Sequence, residues 1–272
     1  MQMISLSPLS VLPVGPVEQI EAAATAGFDM VGMRLCPVSP TDPRIMEDAS
    51  LKRGIKRALA ATGRIVLDIE VFRLSPKLDV DALVPMMEFG ADLGARHMLC
   101  TFPLPSEGTV ADEDATVERL VALCDRAEQF GICPMLEFMK FRLMPTLADA
   151  QRVARKAGHR NLGICVDSLH LARSGGTVAD VRNVDPTLLR YCQISDAPAA
   201  SPGDEGLPRE ARYRRLSPGE GGLPLAELIR ALPAGIPLSI EVPDADSAGE
   251  PAVERAHRLA DDTRALLQRA AA

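Results

Sequence analysis

Residues 117–138 read VERLVALCDRAEQFGICPMLEF, and the fold prediction starts from this stretch. Its first half places apolar side chains on one face of a helix, at Val117, Leu120, Val121, Cys124 and Ala127. Gly131 follows, and glycine suits the left-handed backbone conformation that ends a helix. The apolar run 132–138 comes next and is typical of a strand buried on both faces. The stretch therefore predicts a helix, a tight turn and a buried strand.

The same succession of a glycine and a short apolar run recurs along the chain. Besides Gly131, it is found at Gly27 before 28–35, Gly63 before 65–69, Gly94 before 97–102, Gly158 before 162–166 and Gly235 before 236–242. The runs 3–6 and 191–195 bring the strand candidates to eight, about 34 residues apart on average in a chain of 272. Strands that alternate with helices at this period predict parallel pairing through right-handed crossovers.

We therefore predict an α/β fold in which residues 1–272 form a single (β/α)8 TIM barrel. An open doubly wound sheet is the alternative. No GxGxxG or GxxxxGK[ST] motif follows the first predicted strand, so the usual nucleotide-binding signature of that alternative is missing.

Composition narrows the classes of partner. The chain has 30 Lys and Arg against 37 Asp and Glu, a net charge of −7, which disfavours nucleic acid and anionic membranes as partners. Six cysteines without a CxxC pair, an N-terminus without signal-peptide features and the lack of a long apolar run predict a cytoplasmic protein with reduced thiols. Tryptophan is absent and tyrosine occurs twice, which weakens polysaccharide and single-stranded nucleic acid as ligands.

The connections between predicted elements are asymmetric. Helix-to-strand connections are short, whereas the strand-to-helix connections 36–50, 101–112 and 198–222 are long. The active sites of barrels are built from the loops that follow strands, so we expect the chemistry at that end. Segment 198–222 contains four prolines and five glycines and is a candidate lid.

Several predicted strands end in a carboxylate or an amide. Glu137, Asp167 and Glu241 occupy last strand positions, Gln193 lies near the end of a fourth strand, and Asp68 and Glu70 close a fifth. Carboxylates at an apolar barrel mouth have to share a proton, an arginine or a metal, because their desolvation is costly. Oxygen ligands favour Mg²⁺ or Mn²⁺ over Zn²⁺. Helix capping and salt bridges are the structural alternative for each acid taken alone.

A histidine and several arginines accompany these acids. His170 stands three residues after Asp167, where it can donate a proton or bind substrate. The candidate substrate-binding residues are Arg34, Glu70, Arg73, Arg212 and Arg215. A bidentate arginine contact suits a carboxylate or phosphate, so we expect a small substrate that is anionic or polyhydroxylated.

Five motifs carry a resemblance to a known family. They are Leu136-Glu137, Val166-Asp167-Ser168-Leu169-His170, Gln193-Ile194-Ser195-Asp196, Pro218-Gly219-Glu220-Gly221 and Ser239-Ile240-Glu241. They resemble the xylose-isomerase-like TIM barrel superfamily of sugar isomerases, epimerases and dehydratases. The resemblance implies that Glu137, Asp167, Gln193 and Glu241 bind one divalent metal and that His170 contacts the substrate. Many epimerases have histidine where Gln193 stands, and glutamine there resembles the 3-dehydroshikimate dehydratase branch.

The implied activity is isomerisation or epimerisation of a small sugar, hydroxy-ketone or keto acid through a metal-stabilised enolate. Mn²⁺ or Mg²⁺ is the favoured cofactor, with Co²⁺ or Zn²⁺ as alternatives, and Glu137, Glu241 and His170 are the candidate catalytic residues. A dehydratase of 3-dehydroshikimate type is the alternative function, and a non-catalytic metabolite-binding barrel is the second alternative. Abasic-site DNA repair on the same fold is disfavoured by the net negative charge. A homo-oligomer is one of the assemblies that we consider.

Overall fold

In the computed structural model, which describes residues 2–39, 42–108 and 112–271, eight strands lie where the repeated pattern predicts them. They are β1 (Ile4–Leu6), β2 (Met30–Arg34), β3 (Ile65–Arg73), β4 (His97–Thr101), β5 (Cys133–Glu137), β6 (Gly163–Asp167), β7 (Cys192–Ile194) and β8 (Leu238–Ile240). Each strand pairs in parallel with the next one along the chain, and β8 pairs with β1. The predicted closed (β/α)8 barrel is confirmed.

Glycines lie between helices and the strands that follow them, as the repeated pattern predicts. The backbone is left-handed at all six glycines that the repeat singles out, with φ between 60° and 88° at Gly27, Gly63, Gly94, Gly131, Gly158 and Gly235. At the end of the helix 147–157, for example, the N–H of Gly158 donates to the carbonyl of Ala154. A side chain at such a position would be strained, so the pattern of glycines reflects backbone conformation.

Ten helices surround the strands within the described ranges. They are α1 (Pro16–Ala26), α2 (Ala49–Thr62), α3 (Val84–Asp92), α4 (Glu113–Glu128), α5 (Leu147–Ala157), α6 (Ser168–Arg173), α7 (Val178–Arg182), α8 (Leu207–Tyr213), α9 (Leu225–Ala231) and α10 (Ala252–Ala271). The predicted stripe of α4 is buried at four of its five positions, Val117, Leu120, Cys124 and Ala127. None of the described helices is both long and apolar enough to span a bilayer.

Apolar side chains fill the inside of the barrel beneath the carboxyl ends of the strands. This inner group consists of Met30, Leu67, Leu99, Cys133, Met135, Cys165 and Tyr191. Tyr191 is fully buried, its ring centroid lies 5.2 Å from that of His97, and its hydroxyl donates to Asp68 Oδ2 at 3.3 Å. These residues form the floor of the barrel, as layered side chains do in this fold.

Strand β3 is longer than predicted, which changes the place of two acids. Asp68 and Glu70 were expected to close this strand, but β3 continues to Arg73, and its register with β4 shifts between Ile69 and Phe72. Asp68 therefore lies inside the strand, one level below the opening, where it meets Tyr191.

The predicted lid, segment 198–222, contains helix α8 and is tied to the barrel at several points. The carboxylate of Asp196 accepts hydrogen bonds from the backbone N–H groups of Gly219 and Leu223. The carboxylate of Glu210 forms an ion pair with Arg173. In this structure the segment is a wall of the barrel opening. The parts of connections 36–50 and 101–112 at residues 40–41 and 109–111 lie outside the described residues.

Candidate active site

The carboxyl ends of β5 to β8 bring four predicted ligands to one place. Glu137 and Asp167 are the last residues of β5 and β6, Gln193 lies in the middle of β7 next to Asp167, and Glu241 directly follows β8. All four side chains are buried. Ligand atoms of Glu137, Asp167 and His170 lie within 4.8 Å of one another, so the three side chains could contact one metal ion. We call Glu137, Asp167 and Glu241 the carboxylate cluster.

Arg215 inserts a guanidinium into this cluster from segment 198–222. Its Nη1 lies 2.6 Å from Asp167 Oδ2, and its Nη2 lies 3.1 Å from Glu241 Oε2. Its Nε donates to the carbonyl of Ala211 at 2.9 Å, which fixes the side chain against helix α8. The predicted substrate-binding residue Arg215 therefore binds two acids of the cluster in this structure.

Gln193 faces the cluster with its amide nitrogen. Its Nε2 donates to Glu241 Oε1 at 3.1 Å, and the same carboxylate oxygen accepts from Ser7 Oγ at 3.2 Å. The carbonyl oxygen Oε1 of Gln193 accepts a weak S–H bond from Cys165 at 3.4 Å. A metal binds an amide through its oxygen, so the role of Gln193 as a ligand stays a prediction that requires the amide to turn over.

Burial sets the protonation of the cluster. It raises the pKa of Glu137 well above the usual range, and the charges of Glu241 and Asp167 raise it further. Burial also raises the pKa of Glu241 to about 7. Burial acts in the same direction on Asp167, yet Arg215 and His170 hold the pKa of Asp167 below its usual range. Burial lowers the pKa of His170 to about 4, so its imidazole is neutral at pH 7.

The net charge of the carboxylate cluster bears on whether a metal ion can bind there. Arg215 is the one arginine that forms ion pairs with the three acids among the described residues, so the fully ionised cluster has two more negative charges than paired guanidinium groups. Uncompensated buried charge is costly, and a divalent cation would balance it. Oxygen donors and the neutral imidazole of His170, which lies 3.7 Å from Glu137 Oε1, are suitable ligands. On these observations the residues fit a divalent metal.

A cavity of about 460 Å³ opens above the cluster, which is the size of a small-molecule site. Five arginines line it: Arg34, Arg73, Arg142, Arg212 and Arg215. Glu137, Glu241 and His170 lie on the same lining, together with apolar side chains such as Leu12 and Phe141.

The predicted substrate-binding residues differ in how free they are to bind a ligand. Arg34 is paired with Glu70 at 2.8 Å and with Asp42 at 3.5 Å, so Arg34 and Glu70 largely neutralise each other. Arg73 is exposed and lies 3.4 Å from Glu107. Arg212 is exposed on α8, and its side chain forms no ion pair with the residues that the structure describes.

Two residues of this site were missed by the sequence reasoning. Arg142 lies in the connection after β5 and lines the cavity, five residues after Glu137. Ser7 directly follows β1 and donates to Glu241. A polar residue that follows a predicted barrel strand was the available signal for both.

Comparison with known proteins places the barrel in a family. The sequence profile of the family described as "Xylose isomerase-like TIM barrel" matches residues 20–268. A 3-dehydroshikimate dehydratase of Pseudomonas putida is 25% identical over 92% of this chain and 39% of its own length. An inosose isomerase of Bacillus velezensis is 26% identical over 54% of this chain and 52% of its own length. The chain thus spans about two fifths of the dehydratase and about half of the isomerase.

Solved structures agree in fold. The IolI protein with a bound zinc atom superposes with a TM-score of 0.84 at 17% identity and covers 98% of this chain and 99% of that chain. A fusion of a xylose isomerase-like barrel with a 4-hydroxyphenylpyruvate dioxygenase gives a TM-score of 0.83 at 21% identity, over 99% of this chain and 43% of that chain. Since the profile match runs from α1 to α10, the chain belongs to the xylose isomerase-like TIM barrel family.

Proposed function

We propose that this chain is a divalent-metal-dependent isomerase or epimerase that removes a proton beside the carbonyl of a small hydroxylated substrate. One observation carries the proposal: three buried carboxylates, two of them paired with Arg215, lie together at a substrate-sized cavity that Glu137 and Glu241 line. Buried acids with perturbed pKa values in a cleft mark a candidate active site.

Glu137, Asp167, Gln193 and Glu241 are the residues that would hold the metal. Mn²⁺ or Mg²⁺ suits this oxygen-rich set, with Co²⁺ or Zn²⁺ as alternatives. The zinc atom bound by the IolI protein, which has the same fold, supports a divalent ion in this chain. When bound, the ion would supply Lewis-acid polarisation of the substrate carbonyl.

The protein's own groups would move the proton. Glu241 has a pKa of about 7, which suits a base that works near neutral pH. Glu137 is the second candidate for this base, because its buried carboxylate lies on the lining of the same cavity. Neutral His170, next to Glu137, would donate or accept a hydrogen bond at a substrate oxygen. Arg215 would keep Asp167 ionised and in place.

A dehydratase of 3-dehydroshikimate type is the second candidate function. Gln193 and the similarity to the Pseudomonas putida dehydratase over 92% of this chain favour it. The same base would remove the proton, the C–O bond at the β-carbon would break, and the base would pass the proton that it has taken up to the leaving hydroxyl, which departs as water. The two candidate reactions share removal of the proton beside the carbonyl. In isomerisation or epimerisation the resulting enolate is protonated again, whereas in dehydration its electron pair expels the β-hydroxyl.

Elemental analysis of the purified chain, with melting curves after chelation and after addition of Mn²⁺ or Mg²⁺, tests the metal. We expect one equivalent of metal and a melting temperature that falls on chelation and recovers on addition, because a ligand of the folded state stabilises it. A chain without metal and without this response would instead favour a metabolite-binding barrel.

Substrate screening in D₂O then tests the reaction. An isomerase or epimerase is expected to bring deuterium into a hydroxy-ketone, whereas a dehydratase is expected to give an absorbing unsaturated product from 3-dehydroshikimate. A metal-loaded chain that does neither with any tested ketone or keto acid would contradict the proposed activity.

A further inference from the structure

Arg142 is a buried arginine on the lining of the cavity. It lies in the connection between β5 and α5, and only 7% of its surface is exposed. Its Nη1 donates to the carbonyl of Phe102 at 2.8 Å, and its Nε lies 3.3 Å from the sulfur of Met139. These contacts fix the guanidinium without neutralising it.

No carboxylate among the described residues forms an ion pair with Arg142, and its Nη2 has no hydrogen-bond partner among them. In contrast, Arg34, Arg73 and Arg215 on the same lining each have an acidic partner. Burial lowers the pKa of Arg142, but an arginine stays charged in proteins. The charges of Glu137 and Glu107 act on Arg142 in the opposite direction, but neither acid forms an ion pair with it. A buried cation without an ion-pair partner is costly, so an anion is expected to bind it.

Two further arginines reach the same side of the cavity. Arg73 ends β3 and Arg212 lies on α8, and the positive charge of each acts on Arg142 and lowers its pKa further. The charge of Arg73 is shared with Glu107. The cavity lining therefore carries Glu137 and Glu241 of the carboxylate cluster together with the cations Arg142 and Arg212.

We infer that Arg142, assisted by Arg212, is a subsite for a carboxylate group of the substrate, so that the substrate is a hydroxylated keto acid and not a neutral sugar. The inference rests on the proposed function, because the other end of the same molecule has to reach the carboxylate cluster. Nη2 is the nitrogen of Arg142 that has no partner among the described residues, and it can donate a charge-assisted hydrogen bond to a carboxylate oxygen. One buried cation suits a singly charged group better than a phosphate dianion.

Calorimetric binding of two probes to the Mn²⁺-loaded chain tests this subsite. The probes are 3,4-dihydroxybenzoate and catechol, which share two adjacent hydroxyls and differ by the carboxylate. We expect the benzoate to bind about 10- to 100-fold more tightly to the unmodified chain, as for a hydrogen bond to a charged group. Arg142→Met should abolish most of this preference and leave the affinity for catechol and the Mn²⁺ content unchanged.

Arg160→Met is the matched control, because Arg160 is an exposed arginine paired with Glu128 and is absent from the cavity lining. It should keep the full preference. Equal binding of the two probes by the unmodified chain would overturn the inference, and this readout needs no variant. A preference that survives in Arg142→Met would overturn it too. A probe preference without bound Mn²⁺ would contradict the proposed function but support the subsite, so the two failures are distinguishable.

Discussion

Arg173 and Glu210 form a buried ion pair through two hydrogen bonds, with Nε 2.8 Å from Oε2 and Nη2 2.7 Å from Oε1. Arg173 ends α6, the helix that begins directly after Asp167, and Glu210 lies on α8, the helix that precedes Arg215. The pair therefore joins the element that carries one acid of the cluster to the element that supplies its guanidinium.

We predict that Glu210→Gln destabilises the chain by about 3 kcal/mol, because removal of one partner leaves the other charge buried and unpaired. Urea unfolding measures this loss. Glu250→Gln is the control, since its pair with Arg258 is exposed and should contribute less than about 1 kcal/mol. Similar losses in the two variants would mean that the buried Arg173–Glu210 pair stabilises the chain no more than an exposed ion pair does.

Glu241→Gln should remove the metal and the activity while the fold is kept. The amide has one oxygen where the carboxylate has two, and it lowers the negative charge that attracts a cation. Elemental analysis gives the metal content, and circular dichroism gives the fold. Unchanged metal stoichiometry would exclude Glu241 from the site.

A third prediction concerns His97, whose ring lies beside that of Tyr191 in the floor. Burial lowers its pKa to about 4, and its Nδ1 donates to the carbonyl of Leu67 at 3.1 Å. The unfolded chain takes up this proton near pH 6.5 and the folded chain near pH 4, so the contribution to stability is complete above pH 6.5 and is lost as the pH falls towards 4.

His97→Asn keeps a donor for Leu67 but does not titrate in this range. Between about pH 7 and pH 5 we expect the unmodified chain to lose more unfolding free energy than this variant, with an upper limit of about 3 kcal/mol for the full titration. Urea unfolding at the two pH values gives the difference. Equal losses of unfolding free energy in both proteins would show that folding does not lower the pKa of His97.

Gly221 is predicted to tolerate no side chain. A Cβ there would clash with the carbonyl of Ala197 and with Oδ1 of Asp196, the residue that anchors segment 198–222. Gly221→Ala should cost about 1–3 kcal/mol, the usual range for overpacking. Gly249→Ala is the control, because no atom lies within 4 Å of its added Cβ. Equal melting temperatures of the two variants would contradict this account.

The fold was predictable because its signals are local. The glycine after a helix and the apolar run that follows it depend on backbone conformation and burial, and this pair of signals precedes six of the eight strands. The end of β3 was misjudged because the acids Asp68 and Glu70 interrupt its apolar run, although both are buried inside the barrel.

The site was predictable only in part. The convergence of Glu137, Asp167, Gln193 and Glu241 follows from strand order, because the carboxyl ends of parallel strands meet at one end of a barrel. Strand order does not predict which acids the arginines Arg215 and Arg34 bind. Arg215 reaches the cluster because contacts far apart in the chain hold its segment, and the neutralisation of Arg34 by Glu70 depends on neighbouring strands.

The floor formed by Tyr191 and its apolar neighbours closes the barrel below the carboxylate cluster. An ion held by the cluster therefore cannot leave through the interior of the barrel and has to pass through the cavity above the cluster. A bound organic ligand would cover the route of the metal, so exchange of the ion should slow down while a ligand is present. A chelator should then remove the metal more slowly from the loaded protein when the organic ligand is present at a saturating concentration.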